Sequence, residues 1–323
     1  MVPVVRSIQE QWPETKITWC LGRQEHRLLG DISGIEFVVF DKSSGWAAYS
    51  DLRRAMRSRR FDVLMHAQFS MRSNVASRMV RSALRLGYDR ERSKDLHGCF
   101  ITHRIPPGER QHVMDSYFSF AETLGVGTRN LNWNIPLPAE ALEYLVETLP
   151  ANQPFVVINP CSSHSHRNWS SERYARIADY ASQRHGMRIV LCGGKTKQED
   201  AMGKQICSAM SAPAINLIGK DTIKQLLATL SQAKLLITPD SGPMHMATAV
   251  GTPVIGLHAA SNPERSGPYF SRQWCVNRYD DAARKFLGRD SGEIRWGTKI
   301  ERPGVMDLVT VDDVVEKLDG LLE

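Results

Sequence analysis

Four stretches of the chain put hydroxyl, basic or acidic side chains directly behind an apolar run, the arrangement from which phosphate and sugar sites are built. Behind Phe155–Asn159 comes Pro160-Cys161-Ser162-Ser163-His164-Ser165-His166-Arg167-Asn168-Trp169, leading into a helix start at Ser170 or Ser171. Free N–H groups, the positive end of a helix dipole and the Arg167 guanidinium would together hold an anion, with Ser162 and Ser163 adding hydroxyls. Behind Arg188–Cys192 comes Gly193-Gly194-Lys195-Thr196-Lys197-Gln198-Glu199. The glycines let a ligand approach the backbone, and Glu199 could accept from two ribose hydroxyls. A tight turn followed by a surface Glu fits those residues as well. The Gly-Lys-Ser/Thr ending of a P-loop is absent.

The third stretch is the most specific. Behind Leu235–Thr238 lies Pro239-Asp240-Ser241-Gly242-Pro243-Met244-His245. Asp240 and Ser241 are N-cap types, Pro243 suits a first helical turn, and Gly242 leaves the backbone open. His245, two residues past Pro243 in that turn, would face the same anion; the bland alternative is a helix start with a buried His. Behind Val254–Leu257 follows a polar loop, His258 to Tyr269, too polar for a mere connector. Four such strand ends together are far more specific than any one.

Those apolar runs alternate with helical patterns at Glu172–Arg184, Lys197–Met210, Ile223–Gln232 and Pro243–Val250, which implies βαβ units and a parallel sheet buried on both faces. The first half repeats the pattern less cleanly. Strands are expected at Ile17–Leu21, Glu36–Phe40 and Phe61–His66, with helices at Val4–Gln11, Leu52–Arg57, Asn74–Leu86 and His112–Leu124. A linker approach at Asn132–Pro138 and a short helix at Ala139–Leu149 place the boundary at Pro150, giving domains 1–150 and 151–323. The final helix, Val311–Leu322, is expected to dock back across the interface, and a cleft is expected between two similar α/β domains.

Composition narrows the class. With 323 residues, 42% hydrophobic and 24% charged, the chain is neither disordered nor a small disulfide scaffold, and no apolar run is long enough for a membrane-spanning helix. The start shows no apolar signal segment, and the six cysteines form no CxxC pair, so a reducing, cytoplasmic setting is expected. His164 and His166 lack a third ligand, and no metal is expected. Net charge is +6, concentrated at residues 51–110, which hold 14 Lys+Arg against 6 Asp+Glu. Thirteen of the fourteen are Arg, including Arg53, Arg54, Arg57, Arg59, Arg60, Arg72, Arg78, Arg81 and Arg85. A solvated helix face explains such a run; an anionic membrane or a phosphorylated substrate is the functional reading, since the guanidinium fork suits phosphate. No nucleic-acid motif accompanies the charge, so no nucleic-acid partner is expected.

The motif Asp240-Ser241-Gly242-x-x-His245, followed by Gly251-Thr252-Pro253, resembles glycosyltransferase family 9, the ADP-heptose:lipopolysaccharide heptosyltransferases. Arg167 before the Trp stands where that family more often has Lys, and Glu199 matches its ribose-binding Glu. The resemblance implies a GT-B fold of two Rossmann-like domains. It also implies inverting, metal-independent transfer from a nucleotide sugar, expected to be ADP-heptose, to a lipopolysaccharide core or lipid A-type acceptor. The expected donor-binding residues are Ser162, Ser163, Arg167, Glu199, Ser241, Gly242 and His245, with Asp240 orienting sugar hydroxyls. No cofactor is expected, and the setting is the inner face of the inner membrane, with peripheral contact to its anionic surface. The family's catalytic Asp lies in a turn after a first strand, and Met1-Val-Pro-Val-Val-Arg6 reads as the helix that follows that turn. The resemblance therefore implies that about 20 residues are missing, leaving an open slot in the first sheet. Alternatives are a donor-binding relative with impaired catalysis and another GT-B enzyme such as a sugar-nucleotide epimerase.

Overall fold

A computed structural model describes residues 1–149 and 153–323. The boundary expected at 150/151 lies outside the described residues. The chain divides into two compact units, Met1–Pro136 and Leu137–Glu323.

In chain order the first unit contains α1 (Val2–Gln11), β1 (Ile17–Leu21), α2 (Arg23–Leu29), β2 (Ile35–Val39), α3 (Trp46–Met56), β3 (Phe61–His66), α4 (Met71–Ser77), β4 (Ser82–Gly87), β5 (His103–Arg104) and α5 (Val113–Thr123). The second contains α6 (Ala139–Thr148), β6 (Phe155–Ile158), α7 (Ser171–His185), β7 (Arg188–Leu191), α8 (Lys197–Ala209), β8 (Ala214–Asn216), α9 (Ile223–Gln232), β9 (Leu235–Pro239), α10 (Gly242–Ala249), β10 (Val254–His258), α11 (Pro263–Ser266), β11 (Val276–Asn277), α12 (Tyr279–Leu287) and α13 (Val311–Leu322). Helix α6 packs on α9, which assigns it to the second unit.

The second unit is a six-stranded parallel sheet of order β11-β10-β9-β6-β7-β8. Every residue of β6, β9 and β10 is buried, as their unbroken apolar sequences require of strands covered on both faces. Capping boxes start α8, α9 and α13 at Thr196, Thr222 and Thr310, and α7 ends at Gly186 with φ 64°, a left-handed conformation that glycine adopts without strain. Helix α13 buries Val311, Val314 and Leu318 in this unit's own core and packs on α7. Tyr180 and His185 of α7 bind its Asp319 at 2.9 and 2.7 Å. Its apolar stripe matches α7 beside it.

In the first unit β1 pairs in parallel with β2, and β3-β4-β5 form a separate parallel sheet. Among the described residues β1 and β3 do not pair, so each keeps an unpaired edge. The same helices cover both sheets. Ile17 of β1 and Met65 of β3 pack on one cluster built from α1 and α5, and Val38, Phe61 and Leu64 pack on Leu52 and Met56 of α3.

The expected helix Asn74–Leu86 is instead α4, a turn and β4. Arg85 is the reason the helix can stop. Its guanidinium donates to the carbonyls of Ser77 (2.8 Å), Val80 (2.9 Å) and Phe100 (2.8 Å), so the carbonyls freed at the end of α4 are satisfied. Pairing with Phe61–His66 then offers the following residues a full ladder.

No helix among the described residues is long and apolar enough to cross a membrane, and all six cysteines are free, with Cys161, Cys192 and Cys275 buried.

At the carboxyl end of β3, buried His66 and His97 both donate to Asn74 Oδ1, each at 2.9 Å, and the backbone N–H of Tyr88 donates to His97 Nε2 at 3.2 Å. Asn74 donates in turn to the Asp95 carbonyl at 2.8 Å. The Tyr88 contact requires an unprotonated Nε2, so His97 is neutral. Burial pushes it down to about 4 and lowers His66 as well. Both imidazoles bind protons more weakly folded than unfolded, so the stability they contribute is complete above the ordinary value of 6.5 and is lost as pH falls toward 4. Urea unfolding of the first unit should show that fall, and His97→Gln should flatten it. A parent midpoint that stays level from pH 7 to 4 would remove the histidines as its acid-labile point.

Candidate functional site

Strand β6 lies between β7 and β9, where the winding of the second sheet reverses direction. At such a switch point the loops leaving adjacent strands part, and ligands bind between them at the carboxyl ends. Asn159, just past β6 and 2% exposed, ties three strand ends together. It donates to the Cys192 carbonyl (2.9 Å) and accepts from the Thr238 hydroxyl (3.2 Å), which also contacts the Ser241 hydroxyl (2.8 Å).

This occupies Ser241 in a way its sequence position did not announce. Its hydroxyl faces back toward Thr238, so α10 starts without a side-chain cap, whereas α7, α8, α9 and α13 are all capped by Ser or Thr. A Cβ at Gly242 would meet nothing within 4 Å. The helix start therefore offers uncapped N–H groups and the positive end of the dipole to open space. His245 stands exposed on that first turn rather than buried.

Beside the helix start lies a cluster of two cations and two carboxylates. Lys299 Nζ is 2.7 Å from Asp240 Oδ2, and Arg167 Nη1 is 3.6 Å from the same oxygen. Arg167 also donates to Glu301 Oε1 from Nε (2.8 Å) and Nη2 (2.6 Å), with His164 Nδ1 3.7 Å from the other Glu301 oxygen. Burial alone would raise the Asp240 carboxyl, but the adjacent Lys299 ammonium outweighs it and brings the group down to about 2. At neutral pH Asp240 is a counter-ion rather than a base.

Lys299 and Glu301 were not among the expected residues. They flank Ile300 in an irregular segment after Gly297, with no motif of their own. Tertiary packing delivers them: Ile300 is 1% exposed, and its N–H donates to the Ala260 carbonyl at 2.8 Å, just past β10.

The other expected residues divide. Ser162 donates its N–H to Asn168 Oδ1 at 2.7 Å, which shapes the loop ahead of Arg167, and Ser163 is exposed in that loop. Glu199 closes its own loop, accepting from the Gly194 N–H (2.7 Å), the Thr196 hydroxyl (2.6 Å) and the Thr196 N–H (3.3 Å). This is the capping box of α8, with lone pairs left on Oε1 for a further donor. In the fourth loop His258 and Ser261 are buried and contact each other at 3.2 Å, behind Asp240. No group of three His, Cys, Asp or Glu placed to hold a metal occurs among the described residues.

Lys299→Met should leave the buried Asp240 carboxylate without its nearest cation, the longer Arg167 contact remaining. Stability of the second unit should fall by about 1–3 kcal/mol, the range for a lost charged hydrogen bond. The Asp240 carboxyl signal in NMR should also titrate at higher pH than in the parent; an unmoved titration would mean that Lys299 does not set its charge.

Comparison with known proteins places this geometry. Residues 49–292 match the family model for glycosyltransferase family 9 (heptosyltransferase). The lipopolysaccharide core heptosyltransferase OpsX of Haemophilus influenzae is 32% identical over 318 residues, covering 98% of this chain and 91% of that protein. The crystal structure of a family 9 glycosyl transferase from Veillonella parvula superposes with a TM-score of 0.80 at 23% identity, over 99% of this chain and 92% of the other. The E. coli heptosyltransferase WaaC, solved with ADP-2-deoxy-2-fluoro heptose, gives a TM-score of 0.72 at 15% identity, covering 99% and 94%. Sequence and fold agree: this chain is a glycosyltransferase of GT-B fold and belongs to glycosyltransferase family 9, the heptosyltransferases.

Proposed function

We propose that this chain transfers heptose from ADP-heptose to a lipopolysaccharide core acceptor, with inversion and without a metal ion. The observation that carries the reading is the uncapped start of α10 beside Arg167 and Lys299 at the switch point. The near full-length likeness to a lipopolysaccharide core heptosyltransferase supports these substrates.

The chemistry follows from where charge develops. An acceptor hydroxyl oxygen bonds to the anomeric carbon from the face opposite the diphosphate, the bond from carbon to phosphate oxygen breaks, and negative charge collects on the β-phosphate. The N–H groups at the start of α10 and the guanidinium of Arg167 suit that charge, in the role a divalent cation plays elsewhere. Ser162, Ser163, Ser241 and His245 would hold the diphosphate and Glu199 the ribose. With its carboxylate engaged by Lys299, Asp240 would orient sugar hydroxyls and steady the cations, leaving proton removal to another group.

For the acceptor, the first unit has a pocket of about 230 Å³ lined by Phe40, Lys42, Gly45, Trp46, Tyr49 and Arg72. Trp46 is 83% exposed and lies 5.5 Å from the Tyr49 ring, an aromatic platform beside two cations that suits a sugar ring carrying acidic groups. The six free cysteines support a cytoplasmic setting, and the arginine-rich charge of residues 51–110 supports peripheral contact with an anionic inner membrane.

Incubated with ADP-heptose and heptose-free lipopolysaccharide core, the protein should release ADP only when both are present, and a chelator should not slow it. Release without acceptor would indicate an epimerase-type reaction, and ADP binding without release a donor-binding relative. Arg167→Ala should weaken ADP binding by about 1–3 kcal/mol, read by calorimetry. Glu199→Ala should weaken ADP but hardly change pyrophosphate binding; equal losses for both would leave Glu199 with its capping role alone.

A further inference from the structure

The arginines of residues 51–110 are not one population. Arg85 is consumed by backbone carbonyls, Arg59 pairs with Glu36, and Arg92 pairs with Asp89. A second set has been left mostly without such partners. Arg53, Arg54, Arg57, Arg78 and Arg81 line one open groove of about 770 Å³, together with Ser50 and Met79. All five are exposed. Arg54 pairs with Asp51 at 3.1 Å; Arg53, Arg57, Arg78 and Arg81 have no ion-pair partner among the described residues.

The groove has a defined place in the fold. Arg53, Arg54 and Arg57 lie at the carboxyl end of α3, and Arg78 and Arg81 lie in the turn before β4. Both segments border the amino ends of β3 and β4, where Phe61 pairs with Ser82. The pocket at Trp46 lies at the other end of α3. Strand β3 separates the two ends of the sheet by about 20 Å at 3.3 Å per residue. The groove is therefore distinct from the acceptor pocket proposed above.

Converging unpaired cations repel one another. Arg53 and Arg54 sit in the last turn of α3 and Arg57 caps it, where the dipole offsets part of that repulsion, but Arg78 and Arg81 have no such help. A fold that pairs Arg59, Arg85 and Arg92 and leaves these five facing one space presents a site for several negative charges at once. One phosphate would engage two guanidinium forks; five forks along a helix end and a turn fit several phosphates presented side by side. The lining has no aromatic ring on which a nucleobase could stack.

We propose that this groove docks the first unit on the phosphate headgroups of an anionic lipid bilayer. The inference rests on the proposed function only in that a lipid-linked acceptor makes such a surface the enzyme's workplace.

The test compares the full chain with its Arg53→Gln/Arg57→Gln/Arg78→Gln variant in sedimentation with vesicles. The parent should bind phosphatidylcholine vesicles containing phosphatidylglycerol, should release as salt rises, and should ignore pure phosphatidylcholine. At roughly five-fold per basic residue, the triple variant should bind about a hundred-fold more weakly, with unchanged thermal unfolding and unchanged ADP affinity by calorimetry. Equal vesicle binding by parent and variant, or parent binding to neutral vesicles as strong as to anionic ones, would overturn the proposal. So would release by inorganic phosphate at matched ionic strength, which would mark a site for soluble phosphate, or tighter binding to a DNA oligonucleotide than to the vesicles. Vesicle binding is read without donor or acceptor, so a protein that binds vesicles but not ADP would refute the transferase reading and leave the groove standing.

Discussion

Strand β6 pairs in parallel with β7 on one side and β9 on the other, and the chemistry of the second unit depends on that central position. Strands wind outward from β6 in both directions, so the loops after β6 and β9 diverge and leave a space between them. Arg167 arrives on one loop and Asp240 on the other, 73 residues apart in the chain and 3.6 Å apart in space. The polar tie from Cys192 through Asn159 and Thr238 to Ser241 holds those strand ends in register. It also draws the Ser241 hydroxyl away from its usual capping role. The helix start is thus left open by the same interaction that positions it.

Around that opening the protein balances its charges in advance. Arg167 and Lys299 face Asp240 and Glu301, so two cations stand beside the helix start without an unpaired buried charge. The low proton affinity of Asp240 is the signature of this balance, because burial alone would push it the other way. The cations are thereby ordered in advance, which is what makes a site preorganised for an anion.

The first unit uses its arginines in two opposed ways. Arg85 replaces a helix cap with side-chain donors and so lets α4 stop and β4 begin. The arginines around the groove at the amino ends of β3 and β4 do nothing comparable for the fold, and most have no carboxylate beside them. The same residue type therefore serves structure in one place and remains available for a partner in the other.

Much of the second unit was legible in the residues alone, and for a physical reason. Strands buried on both faces must be continuously apolar, so β6, β9 and β10 stood out, and α7, α8 and α9 carry their own caps, α7 with a glycine stop as well. The loops behind β6, β7 and β9, with Arg167, Glu199, Asp240 and Gly242, were readable because each strand end and the polar residues that follow it are neighbours in sequence. What sequence could not decide was every feature made by residues far apart in the chain. Residues 74–86 carry a helical pattern locally, but parallel pairing with Phe61–His66 and the reach of Arg85 turn half of them into β4. Lys299 and Glu301 have no local signature, and only the anchoring of Ile300 to Ala260 brings them to Arg167 and Asp240. The apolar stripe of α13 announced a buried face without naming its partner, and the arginine run announced charge without saying which side chains were already spent. Local patterns follow from interactions within a few residues and can be read from the chain; partners across long loops depend on the packing of the whole unit, which only the tertiary structure decides.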